Sequence, residues 1–225
     1  MKLLSYLLTV LILVSTSMIA GCLDEEAKSD DISDNLGKMA PLISSYSFNG
    51  LEWKLFDISE NFSDEREEWF LIQYTDVSPN CGPCNSTIDG MRELSNTYES
   101  HIYWDITFIA LASNITDDSN RTDIEQFRES NNHTFLYVDD LNNSHIDDAT
   151  VNFNIPGVPT FFLVQPDGVI AWQQVGTNPQ DFEYWDASNQ SVNSEELTDQ
   201  NGDDLIDIAD SIEYILPKYD NQSSE

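Results

Sequence analysis

Two cysteines, in Cys81-Gly82-Pro83-Cys84, stand where an apolar run gives way to a helical pattern, and this placement restricts the fold more than any other feature of the 225 residues. Upstream, Trp69-Phe70-Leu71-Ile72-Gln73-Tyr74 is almost continuously apolar, as expected of a central strand covered on both faces. Thr75 to Asn80 reads as a loop. From Cys81 a helix is expected to about Ser100, because Ile88, Met91, Leu94 and Tyr98 recur at helical spacing. A buried strand thus delivers the pair to the first turn of a helix.

The remaining pattern supplies partners for that unit. Phe48-Asn49-Gly50-Leu51 with Trp53 and Leu55 predicts a short hairpin with alternating burial. Asp105 to Ala112 and Phe135 to Val138 read as strands, Thr122 to Asn131 and Asp147 to Phe153 as helical segments. Thr160 to Val164 and Val169 to Val175 read as strands joined at Pro166-Asp167-Gly168, whose residues suit a tight turn. A closing helix is expected over 204–216, and Gly176 to Gln200 reads as a polar, irregular insertion. This order describes an α/β fold with a mixed sheet.

The two ends carry different information. Met1-Lys2, an apolar run from Leu3 to Val14 and Ile19-Ala20-Gly21-Cys22 make a secretory signal over 1–21. The last four of these residues resemble the lipobox of prokaryotic lipoproteins, which implies lipidation of Cys22. An uncleaved membrane anchor is the alternative, and either places the domain on the outer face of the cell membrane. Residues 22–41 read as an acidic tether, 42–217 as the domain with its insertion at 177–203, and 218–225 as a disordered tail. The chain has 41 acidic and 9 basic residues, a formal charge of −32. Such a charge repels nucleic acid and anionic headgroups, so neither is expected as a partner. Eight Asn-x-Ser/Thr sequons occur, at Asn61, Asn85, Asn114, Asn120, Asn132, Asn142, Asn189 and Asn221.

Three chemistries compete for Cys81 and Cys84. Structural zinc needs four ligands, commonly in two short pairs, and His101, His133 and His145 lack that spacing. A purely structural bridge across so short a loop removes little chain entropy. A redox dithiol is the reading left. At a helix start, Cys81 meets unpaired backbone N–H groups that stabilise its thiolate, and Cys84 follows one turn later. Pro83 suits the first turn, where its missing N–H would have no partner.

Cys81-Gly82-Pro83-Cys84 matches the thioredoxin active-site motif. Gly157-Val158-Pro159-Thr160, followed by Phe161-Phe162-Leu163-Val164, looks like that superfamily's cis-proline loop and strand. From about Ser47 to Leu216 the chain resembles membrane-anchored, extracytoplasmic thioredoxin-like proteins, including those serving cytochrome c maturation. The resemblance implies a thioredoxin-like fold, a mixed central sheet flanked by helices. It implies a thiol–disulfide oxidoreductase acting on exported protein thiols and disulfides, with reduction the expected direction and a membrane-embedded electron donor. Cys81 would be the nucleophile and Cys84 the resolving thiol. Pro159 would be cis and face Cys81, with Val158 pairing to the substrate backbone. The redox-active disulfide would be the sole catalytic group.

The match has departures. Asn80 replaces the tryptophan that usually precedes the first cysteine, and the loop before it is longer than usual. Gln73 stands where thioredoxins carry a buried acid, for which water or Asp76 would substitute. Asn85 is a sequon beside the motif and is expected to be unmodified. Two alternatives share the fold: a thiol peroxidase, whose Thr/Ser and Arg spacing is missing before Cys81, and a copper-binding assembly factor using both thiolates and His145. Separately, Asp199, Asn201, Asp203, Leu205, Asp207 and Asp210 resemble a calcium loop of the EF-hand or dockerin kind. An acidic helix start is the alternative reading there.

Overall fold

Alternation along the central strand sets up two cores. In the computed structural model, which describes residues 35–40, 42–62, 68–98, 105–114, 118–142, 155, 157–176, 182–198 and 208–220, strand β3 runs Glu68–Asp76. Successive side chains of a strand point to opposite faces. Trp69 and Leu71 therefore enter one apolar cluster, while Phe70, Ile72 and Tyr74 enter another. Both clusters are dry, which is why the run carries almost no polar residue.

Around β3 the described residues form a nine-stranded sheet of order β2-β1-β5-β4-β3-β6-β7-β8-β9. Its first strands are β1 Ser44–Phe48 and β2 Trp53–Asp57, with β4 Asp105–Ser113 and β5 Leu136–Asp140 nearer the centre. They are followed by β6 Thr160–Val164, β7 Ile170–Val175, β8 Phe182–Asp186 and β9 Ser191–Glu195. β3, β4 and β5 are parallel, and β6 and β7 return antiparallel. Among the described residues four α-helices accompany the sheet: α1 Gly82–Ser86, α2 Ile88–Tyr98, α3 Arg121–Ser130 and α4 Ile208–Asp220. Met91 and Tyr98 of α2, Ile124 of α3, and Ile212, Ile215 and Leu216 of α4 all enter the Leu71 cluster. A mixed sheet with flanking helices, a cysteine pair at the end of a central parallel strand and a cis Val158–Pro159 bond before the antiparallel return make this a thioredoxin-like α/β fold.

Several expected boundaries shift for local reasons. β3 continues through Thr75 and Asp76, so the loop before the cysteines is shorter than Thr75–Asn80. The single helix expected from Cys81 is broken at Thr87. Thr87 N–H (3.2 Å) and Thr87 Oγ1 (2.8 Å) both donate to the Cys84 carbonyl, the group that a continuous helix would offer to Ile88. The predicted hairpin forms, with Gly50 at φ 95° and Asn49 Oδ1 accepting from Leu51 N at 2.9 Å. Its alternation fails at Leu55, which is 71% exposed on the outermost strand.

The region 176–200 is not irregular throughout. It holds β8 and β9, which extend the sheet beyond β7. Phe182 and Tyr184 pack into the Leu71 cluster and meet Tyr214 of α4 edge-on, at centroid distances of 5.1 and 5.6 Å. At the other end, residues 35–40 do not behave as a tether. Leu36 and Ala40 are buried in the second cluster, and Met39 bridges Val169. The signal segment, Cys22, the segment Asp147 to Phe153 and residues 221–225 lie outside the described residues. Among the described residues no helix is long and apolar enough to cross a membrane.

Candidate active site

The end of β3 sets the position of the cysteines. Asp76 is the last residue of the strand and is fully buried. Its carboxylate Oδ1 accepts from Ser78 N at 2.8 Å, which turns the chain out of the sheet. Ser78 continues the turn: its hydroxyl accepts from Asn80 N at 3.0 Å, and its carbonyl accepts from Cys81 N at 3.2 Å. Short polar side chains that bond backbone two residues on are what make such a turn. No apolar periodicity signals them in the sequence.

Cys81 is the N-cap of α1, and its Sγ accepts from Cys84 N at 3.2 Å. The pair is disulfide-bonded, with 5.3 Å between Cα atoms. The two sulfurs have different surroundings. Cys81 Sγ sits at the open start of the helix, while Cys84 Sγ accepts from Asp76 N at 3.5 Å on the protein side. Residue exposures are 3% and 1%, while Gly82 and Gly157 border open space. A Cβ placed on Gly82 or Gly157 would meet nothing within 4 Å. Asn80, Gly82 and Pro83 are exposed.

Gln73 does not reach Cys84 directly. It is buried, and its Nε2 donates to Thr87 Oγ1 at 2.9 Å, so it holds the helix break one turn beyond the cysteine. The carboxylate-bearing residue whose backbone touches Cys84 Sγ is Asp76. Thr87 and Ser78 carry no signal in the sequence pattern, and both shape the loop. Asn85 Nδ2 donates to the Pro79 carbonyl at 3.0 Å, so its sequon amide is engaged in the same loop.

Pro159 is buried and its preceding bond is cis. Its carbonyl accepts from Gly176 N at 2.8 Å. The register Tyr74↔Thr160 sets the start of β6 beside the end of β3. Val158 and Pro159 are therefore at the same end of the sheet as the cysteine loop, and Val158 is half-buried.

The other candidates are less well placed. Of the three histidines, only His133 is among the described residues. Its Nε2 lies 3.1 Å from the Ile88 carbonyl and its Nδ1 lies 2.6 Å from the Tyr137 hydroxyl. A carbonyl only accepts, so Nε2 carries the hydrogen and Nδ1 accepts from Tyr137. Both ring nitrogens are used within the fold. Burial lowers the His133 pKa below the ordinary histidine value, outweighing the opposing Ile88 hydrogen bond. The unfolded chain therefore binds a proton that the fold refuses, and stability will drop as pH falls through the unfolded value of about 6.5. Thermal melts from about pH 7 to about pH 5 should show a Tm lower by a few degrees, a loss reduced in His133→Gln.

Of the expected calcium ligands, Asp199, Asn201, Asp203, Leu205 and Asp207 lie outside the described residues, as does His145. Asp210 is fully buried within α4. Among the described residues, no group of three or more His, Cys, Asp or Glu side chains is arranged to hold a metal ion.

No family model and no curated protein matches the chain. Solved structures do. The chain is similar to the thioredoxin domain of a thiol-disulfide oxidoreductase from Bacteroides vulgatus, at 16% identity over 63% of this chain and 89% of that one, with a TM-score of 0.49. It is similar to a putative thiol:disulfide interchange protein DsbE from Chlorobium tepidum, at 18% identity over 64% and 87%, TM-score 0.49. A secreted Mycobacterium tuberculosis disulfide oxidoreductase homologous to E. coli DsbE is 15% identical over 57% and 80%, TM-score 0.43.

Proposed function

We propose that the chain is a thiol–disulfide oxidoreductase that acts on exported proteins from the outer face of a membrane. The observation that carries the reading is the unequal setting of two bonded sulfurs: one caps an exposed helix start, the other faces the buried end of β3. In the reduced enzyme the Cys84 N–H that reaches Cys81 Sγ favours its thiolate over its thiol. That thiolate attacks one sulfur of a substrate disulfide. A mixed disulfide forms and one substrate thiolate leaves. Cys84 then gives up its proton and attacks the Cys81 sulfur, which releases the second substrate thiolate. Two electrons pass to the substrate, its two thiolates take their protons from the one Cys84 releases and from solvent, and the Cys81–Cys84 disulfide remains. A dithiol donor must reduce it for another cycle, and we assign that part to a membrane-embedded partner.

The second step needs a group to accept the Cys84 proton, and the position of Asp76 supports its carboxylate in that role. Val158 and Pro159, at the same end of the sheet, would align the substrate backbone as an added strand. Asp76→Asn should slow resolution of the mixed disulfide about a hundredfold near neutral pH, the low end of the range of general acid–base catalysis. The deficit should shrink towards about pH 9, where a thiol with an ordinary pKa of about 8.5 ionises unaided. Rapid-mixing kinetics across that range reads both effects. A uniform loss at all pH values would indicate structural damage instead.

The Cys22 lipid anchor is a separate part of the proposal. Metabolic labelling with a fatty acid, lost in Cys22→Ala, tests it.

A further inference from the structure

Between the loop that precedes Cys81 and helix α3 lies a groove of about 610 Å³. Val77 and Pro79 from the loop, Ile88 from α2 and Phe127 from α3 supply its apolar lining. Asp118 and Asp123 also line it, and among the described residues no lysine or arginine does. Asp118 is exposed. Asp123 Oδ2 accepts from Asn120 N at 2.8 Å in the capping box of α3. A nearby cation, Arg92, donates to the Asn131 carbonyl at 3.4 Å but is paired with Asp89 at 2.6 Å.

We infer that this groove takes the segment flanking the substrate cysteine and selects a lysine or arginine there; the inference rests on the oxidoreductase reading. A lysine or arginine has an aliphatic stem that lies along apolar surface and a charged head that seeks a carboxylate. The apolar lining of Val77, Ile88 and Phe127 with two aspartates offers both parts together. The Val77–Pro79 loop leads directly into Cys81, and Asn85 follows Cys84, so the groove adjoins the place of a substrate sulfur. A glutamate in the same place would meet two like charges and desolvate against the apolar lining. The groove therefore discriminates by attraction and by repulsion.

The test separates binding from turnover. Two fluorescent peptides differ only in lysine or glutamate beside the target position, with serine in place of cysteine, and their binding is read by anisotropy. The lysine peptide should bind about fivefold or more tightly at low salt, with the margin narrowing as ionic strength rises. Asp118→Asn/Asp123→Asn should remove most of that preference. Asp118→Asn alone, at an exposed position, should remove part of it if the double variant does not fold. Glu60→Gln/Glu196→Gln, with equal charge change on other elements, should leave it. Equal binding of both peptides, or a preference that survives the groove variants, overturns the inference. Turnover of the matching cysteine disulfides is measured separately. Turnover with no preference in binding sinks the groove and spares the oxidoreductase reading; preference in binding with no turnover does the reverse.

Discussion

Cys81→Ser will lose disulfide-reducing turnover by about three orders of magnitude or more, to the uncatalysed exchange rate, while the domain stays folded. Loss of the nucleophile removes the covalent step itself, and the thiol that remains, Cys84, is 1% exposed and faces Asp76 N, where a substrate disulfide does not reach it. Cys84→Ser will lose multiple turnover to a similar extent for a different reason. Its Cys81 can still attack, so one equivalent of substrate thiol will appear in a burst before the enzyme stalls as a mixed disulfide. The asymmetry follows from the geometry. Cys81 Sγ accepts the Cys84 N–H at the helix start, whereas Cys84 Sγ is held against Asp76 N. Insulin reduction, with released thiol counted in the first turnover, separates the two variants. Matching behaviour in both would mean that the sulfurs are chemically interchangeable, which their unequal settings do not allow.

Phe182→Ala will destabilise the domain by about 3–5 kcal/mol, the usual cost of emptying a buried phenylalanine site. That is a large share of the roughly 5–15 kcal/mol that keeps a domain folded. Phe182 is 3% exposed in the Leu71 cluster, stacks on Tyr184 at 5.6 Å and meets Tyr214 at 5.1 Å. Strands β8 and β9 thereby tie the far edge of the sheet to α4. An insertion merely hung on the surface would lose well under 1 kcal/mol from the same change. Denaturant unfolding at constant ionic strength distinguishes the two, since the midpoint moves with stability and the slope reports any change in exposed surface.

The same strands show where the sequence was legible and where it was not. Cys81-Gly82-Pro83-Cys84 could be read because its chemistry is local and its spacing short, and the cis Val158–Pro159 bond because the residues around it resemble a known motif. The apolar run in β3 could be read because both of its faces are dry. β9, Ser191–Glu195, has neither signal: it is an edge strand, and four of its five residues are polar. The extent of β3 was also hidden, because Thr75 and Asp76 are polar residues buried at a strand's end. That extension brings the Asp76 backbone N–H to Cys84 Sγ, while Gln73 bonds to Thr87. Thr87 breaks the expected helix through its own hydroxyl, a contact no periodicity announces. Residues 35–40 read as solvated because the sequence before them is acidic, yet Leu36 and Ala40 are buried in the Phe70 cluster.

Every later step of the proposed cycle depends on nucleophilic attack by Cys81, and one covalent species tests that attack. Cys84→Ser, incubated with a peptide disulfide and digested without reductant, should yield a single adduct by mass spectrometry, a disulfide between Cys81 and one half of the peptide. An unmodified Cys81 under conditions where a free thiol control reacts would contradict the proposed function.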